Sequence, residues 1–150
     1  MVNSYCKIEN SIRWSPPNST INWQTGLQYK VGDDPWTSAV GKSKGDELSY
    51  SELNPFFKNT IFEDIITKYK LKRTRLMWVG SKTCYSFHSD QTPRIHIPLI
   101  TNPDCYFLFK TGIMFNLNIN SVYWVNTKKI HTFINCSDFN RLHLVGIVNE

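Results

Sequence analysis

Between Leu76 and Val148 the chain repeats one pattern eight times: a short run of aliphatic, β-branched and aromatic residues followed by a cluster of turn formers. The runs are 76–79, 83–87, 94–99, 106–109, 114–117, 122–125, 130–134 and 142–148. Ser81-Lys82, Gln91-Thr92-Pro93, Asn102-Pro103-Asp104, Thr111-Gly112 and Asn126-Thr127-Lys128-Lys129 lie between them, residues that favour reversals for distinct backbone reasons. So many short strands in succession cannot each bury a face unless the sheet closes on itself or packs on a second sheet. The expectation is a mainly β domain, either a sandwich or a jelly-roll barrel.

The first half reads differently. Residues 51–72 are expected to form one amphipathic helix: Phe57, Ile61, Ile65 and Ile66 recur at three- and four-residue spacing, and Asn54-Pro55 suits a helix start. Residues 1–50 carry Pro16-Pro17, Gly26, Gly32, Pro35, Gly41 and Gly45, which predicts irregular loops with short strands over 21–23 and 27–31. Trp36 with Asp33 and Asp34 sits in a glycine-flanked loop, a candidate lid. Gly41-Lys42-Ser43 resembles the end of a phosphate-binding loop, but Trp36 stands where that loop needs glycine. The organisation expected is a single domain over 1–150, with 73–150 as its β core.

Composition excludes several classes. A hydrophobic fraction of 41% with 19% charged residues argues against disorder. The first residues lack the apolar run of a secretory signal and no stretch is long enough to span a bilayer, so a cytoplasmic protein with no membrane partner is expected. Asn18-Ser19-Thr20 is then a glycosylation sequon in form only. Cys6, Cys84, Cys105 and Cys136 form no Cys-x-x-Cys pair and are expected to be buried free thiols. The net charge of +5 suits an anionic partner, yet the basic residues cluster only at Lys68, Lys70, Lys72, Arg73 and Arg75, where a solvated edge explains them, so nucleic acid is not the expected partner.

His88-Ser89-Asp90 places two metal-competent side chains at i and i+2, on the same face of an extended chain. His131, on a later strand, can supply a third donor. Two imidazoles and one carboxylate on one face leave open coordination positions, the arrangement associated with non-haem Fe(II) oxygenases. Arg141 follows His131 by ten residues and shares a strand face with His143, while Leu142 and Leu144 share the other. A guanidinium there can clamp a carboxylate. Arg94 and His96 likewise alternate with Ile95, Ile97 and Leu99. Burying these cations without a counter-ion would be costly, and a dianionic ligand would supply one.

These residues resemble a known family. His88-x-Asp90, Arg94-Ile95-His96-Ile97-Pro98-Leu99, Trp124-Val125-Asn126, His131, Asn135 and Arg141-Leu142-His143-Leu144-Val145 look like the aspartyl/asparaginyl β-hydroxylase-like branch of the 2-oxoglutarate-dependent oxygenases. The resemblance covers roughly residues 75 to 148, about half the chain. It implies a double-stranded β-helix (jelly roll, cupin-like) with one or more N-terminal helices packed on it, and Fe(II) held by His88, Asp90 and His131. It further implies that Arg141 binds the distal carboxylate of 2-oxoglutarate, with Arg94 and His96 also at the cosubstrate. The animal aspartyl hydroxylases have glycine where Asp90 stands, so the chain resembles the microbial members and the animal enzymes' peptide substrate does not transfer.

The activity so implied is hydroxylation of an unactivated carbon of an amino acid, a peptide or protein residue or a related small molecule. Dioxygen is the co-reactant and ascorbate a supporting reductant. Among rivals, a nucleic-acid-directed demethylase would carry a second arginine six residues after the first, where this chain has Ile147. A metal-binding jelly roll without catalysis is the other alternative. Asn126 and Asn135 are expected to fix turns or tie neighbouring strands, and Trp78, Trp124, Phe107, Phe109 and Phe133 to be core.

Overall fold

A computed structural model describes residues 1–15 and 22–149. The sequon at Asn18, the pair Pro16-Pro17 and Ile21 of the first expected strand lie outside the described residues.

A short helix α1 (Val2–Ile8) and a 3-10 turn (Glu9–Ser11) lead into β1 (Gln24–Gly26) and β2 (Gln28–Tyr29), which pairs with β3 (Glu52–Leu53). After α2 (Ile61–Lys68) come β4 (Lys72–Val79), β5 (Thr83–Cys84), β6 (Arg94–Ile100), β7 (Cys105–Phe109), β8 (Met114–Phe115), β9 (Tyr123–Val125), β10 (His131–Asn135) and β11 (Arg141–Ile147). Each of the eight expected strands is present, several of them shorter than the run that announced it. Two antiparallel sheets result, ordered β1-β4-β11-β6-β9 and β5-β10-β7-β8. The last strand pairs between β4 and β6, and β10 between β5 and β7, so the eight core strands wind between two sheets. That strand order is the double-stranded β-helix.

Strand alternation divides the chemistry of the larger sheet. Leu76, Ile95, Ile97, Leu99, Leu142 and Leu144 point outward, where they pack with Tyr5, Ile12, Phe57, Phe62, Ile65 and Ile66. Arg75, Met77, Val79, Arg94, His96, Arg141 and Val145 point inward, across a cavity from Phe107, His131 and Phe133 of the smaller sheet. Gly146 faces the outer side at a β-bulge where Arg73, with φ 47°, adds a residue to β4. A Cβ at Gly146 would lie 3.0 Å from both Thr74 Oγ1 and Leu71 Cδ1.

The helix expected over 51–72 is a correction. Glu52–Leu53 is strand, and Asn54-Pro55 starts only the 3-10 turn Pro55–Phe57, with Asn54 accepting from the Phe56 N–H. Asn59, at φ 59°, breaks the path, and α2 begins anew with Thr60 as its cap. It ends in a Schellman motif: Leu71 N–H donates to Ile66 O at 2.9 Å and Lys70 N–H to Thr67 O at 3.3 Å, with Lys70 at φ 52° where glycine is usual.

Three further expectations are revised. Lys68 and Lys70 are exposed, but Arg73 and Arg75 are buried, so the basic cluster is not a solvated edge. Cys105 is buried, whereas Cys6, Cys84 and Cys136 are exposed; all four are free. Trp124 is exposed, while Phe107 and Phe133 are core. Among the described residues no helix is long and apolar enough to cross a membrane.

Candidate metal centre

His88, Asp90 and His131 converge at the open end of the cavity. The backbone N–H and C=O groups of His88 and His131 bond one another reciprocally at 2.9 and 3.0 Å, an isolated bridge that joins the end of the β5 segment to the start of β10. Asp90 is set by its N–H donating to Thr127 O at 2.9 Å. The Nε2 atoms of His88 and His131 each lie 3.9 Å from one oxygen of Asp90. Their prospective ligand atoms all lie within 4.8 Å of one another, a grouping that could hold a metal ion.

The tautomers suit ligation. His88 Nδ1 bonds Ser86 O at 2.8 Å and His131 Nδ1 bonds Lys129 O at 2.8 Å. A carbonyl can only accept, so each Nδ1 carries the proton and each Nε2 presents a lone pair toward Asp90. Burial pushes the His131 imidazolium down, against the opposing influence of the Lys129 carbonyl and Asp90, which favours the neutral ligand form.

Arg94, expected at the cosubstrate, lines the cavity, but both its terminal nitrogens are engaged by Glu47: Nη2 to Oε1 at 2.8 Å and Nη1 to Oε2 at 3.0 Å. Its Nε lies 3.3 Å from Asp90 Oδ2. Arg94 thus bridges Glu47 and Asp90 at the cavity wall. Glu47 also receives Arg73 Nη1 at 2.6 Å and Thr92 Oγ1 at 2.9 Å. Burial works to raise its carboxyl, but the hydrogen bonds and charges of Arg94, Thr92 and Arg73 prevail and hold it at about 2.

Arg141 lies deep in the cavity, 3% exposed, its guanidinium 3.2 Å above the Phe133 ring centroid. It makes no hydrogen bond or ion pair with the described residues, and its Nε is buried unpartnered. Burial pushes it down to about 9, so it stays charged at neutral pH. Tyr85 Oη, His96 Nδ1 and Arg75 Nε are likewise buried without partners in the same cavity wall. The cavity holds about 90 Å³, room for roughly three waters.

His143, which shares the Arg141 face, is fully buried between His96 and Phe133, and burial with the Arg141 charge pushes its imidazolium well down. The loop of Asp33, Asp34 and Trp36 is tied locally. Asp34 caps the Trp36 and Thr37 N–H groups, and Trp36 packs on Phe56 and Phe57, with the cluster on the outer face of the larger sheet. What the N-terminal half contributes is Glu47, which stands behind the cavity wall and holds Arg94. It stands in a Gly-Lys-Ser-rich loop and leaves no sequence signal, whereas Arg75 could have been found from the inward alternation of Arg75, Met77 and Val79.

No family model and no curated protein matches the chain. Solved structures do. A cupin domain from Bordetella pertussis overlaps 53% of this chain and 82% of its own, with 16% identity and a TM-score of 0.47. A cupin-superfamily protein from Desulfitobacterium hafniense overlaps 53% of this chain and 68% of its own, at 14% and 0.40. A DMSP lyase from Ruegeria pomeroyi overlaps 53% of this chain and 39% of its own, at 16% and 0.45. The chain's own geometry is that of a mainly β jelly roll whose His-Asp-His grouping could bind a metal ion.

Proposed function

We propose that this chain is an Fe(II)- and 2-oxoglutarate-dependent dioxygenase of the aspartyl/asparaginyl β-hydroxylase-like branch. One observation carries the reading: a His-Asp-His grouping stands at the mouth of a small cavity lined, further in, by an uncompensated arginine, Arg141.

His88, Asp90 and His131 would hold the ion. Iron(II) bound there would supply the oxidising chemistry, coupling dioxygen and the decarboxylation of 2-oxoglutarate to succinate and carbon dioxide with hydroxylation of a carbon on the substrate. The protein's own part is binding and orientation. Arg141 receives the acid group at the far end of the cosubstrate, which gives its buried charge a partner. Phe107 and Phe133 keep the cavity wall apolar, and Phe107 stacks on His131 with ring centroids 5.0 Å apart. Arg94, fixed by Glu47, keeps the Asp90 carboxylate turned toward the two imidazoles. The substrate is an amino acid, a peptide or protein residue or a related small molecule reached through the open mouth, where the His88 side chain is 42% exposed.

The test is succinate formation by purified protein with Fe(II), ascorbate and 2-oxoglutarate in air, across a panel of amino acids and peptides. Succinate is expected, with none from His131→Ala. Protein of verified iron content that makes none across the panel would overturn the proposal.

A further inference from the structure

Among the described residues, Arg73, Arg75, Arg94 and Arg141 are buried around this cavity against two carboxylates, Glu47 and Asp90. Glu47 is consumed by Arg73 and Arg94, and Asp90 faces Arg94 and the two histidines. A cosubstrate bound as proposed would give Arg141 its partner. Arg75 is still left over.

Arg75 is 6% exposed and makes no ion pair with the described residues. Its Nη1 donates to the neutral oxygens Gln24 Oε1 at 3.1 Å and Gly41 O at 3.4 Å, which pins it from behind. Its Nε is buried and unpartnered. Register puts it at the metal end: Val145 pairs with Arg75 on one side and His96 on the other, while Arg141 pairs with Val79, four positions further along β4 or about 13 Å along the strand. Arg75 and Arg141 are thus anchors at different depths. A guanidinium fixed by two neutral acceptors, with its remaining edge turned into a cavity, is preorganised for an oxyanion.

We infer that Arg75 anchors an anionic group, carboxylate or phosphate, on the primary substrate, so that the substrate is a small acid. This rests on the oxygenase reading and names the substrate class for that same site. The second charge also separates the ligands: the cosubstrate reaches past Arg75 to Arg141, and the substrate stops at Arg75, beside Asp90 and the histidines.

The experiment uses the full chain loaded with Mn(II) and 2-oxoglutarate, which requires no turnover. Calorimetric titration compares N-acetylglutamate with N-acetylglutamine amide, N-acetylaspartate with N-acetylasparagine amide, and N-acetylphosphoserine with N-acetylserine amide, neutral partners that lack the α-carboxylate as well. Either the carboxylate pairs or the phosphate pair should show the anion binding about ten- to a hundredfold tighter than its neutral partner. Arg75→Gln should erase that difference while leaving the affinity for 2-oxoglutarate unchanged. Arg75→Lys keeps the charge without the fork; it should retain the preference for the anion with weaker binding, and it serves if Arg75→Gln does not fold. Equal binding of acid and neutral partner in all three pairs would overturn the inference, as would an Arg75→Gln protein that loses 2-oxoglutarate affinity instead. A wild-type protein without succinate formation sinks the oxygenase reading, which the Mn(II) titrations leave separate.

Discussion

Glu47 takes both terminal nitrogens of Arg94, at 2.8 and 3.0 Å, and so connects a loop of the N-terminal half to the strand that faces the candidate metal centre. The same arginine turns its Nε to Asp90 at 3.3 Å, so the loop and the ligand share one cation. Glu47→Gln leaves Arg73 buried without a carboxylate and Arg94 with Asp90 alone, and breaking such a pair costs about 3–5 kcal/mol. A lowered urea midpoint is expected, together with weaker Mn(II) binding in whatever fraction stays folded. Unchanged stability would mean that solvent replaces Glu47.

His131→Ala should remove metal binding measured by calorimetry with Mn(II), because it deletes one of the three converging donors and the better buried imidazole. His88→Ala is expected to weaken it as well. Retention of wild-type affinity in both variants would place the ion elsewhere.

Arg141→Met is expected to raise the 2-oxoglutarate concentration needed for half-saturation by about tenfold or more, since a charge-assisted contact is worth about 1.5–3 kcal/mol. The ligand-free fold should be as stable as the wild type or more so, because a buried cation without a partner is gone. A thermal shift with and without 2-oxoglutarate reads both effects. A variant stabilised by 2-oxoglutarate as strongly as the wild type would reassign Arg141.

Acid should destabilise the fold in two stages. Burial depresses His96 and His143, so below about 6.5 the unfolded imidazoles take up protons that the folded ones refuse, and stability falls as pH drops from there. Glu47 is held at about 2 against an ordinary 4.5, so its contribution is complete above 4.5 and is lost as pH falls toward 2. Urea midpoints between about pH 8 and pH 3 check this. A midpoint that stays level below pH 6.5 would contradict the first stage.

Lys70→Gly should stabilise the protein by about 1 kcal/mol, because Lys70 closes α2 in the left-handed region that side chains disfavour. Urea denaturation reads the gain. A loss would show that its side chain makes a compensating contact.

The β core was legible because alternation is a local property. Arg94, His96, Arg141 and His143 fall on one face of their strands, and Ile95, Ile97, Leu142 and Leu144 on the other, wherever those strands end up. The pairing of His88 with Asp90 at i and i+2 was legible for the same reason. Apolar spacing persists across Asn59, so periodicity joins into one helix over 51–72 what the left-handed backbone of Asn59 separates. Lys68 and Arg75 looked alike as members of one basic cluster, yet one is solvated and the other lines the cavity, since only the strand's place between the two sheets decides which charges are buried.

The sequence by itself determined the strand content, the face each side chain occupies and the residue types able to ligate a metal, all of which follow from backbone geometry over a few residues. Tertiary structure alone decided that His131 meets His88 across the bridge, that Glu47 neutralises Arg73 and Arg94, and that Arg75 and Arg141 are left without carboxylates. Those outcomes join residues more than twenty positions apart, and which buried charge finds a counter-charge depends on how the sheets close.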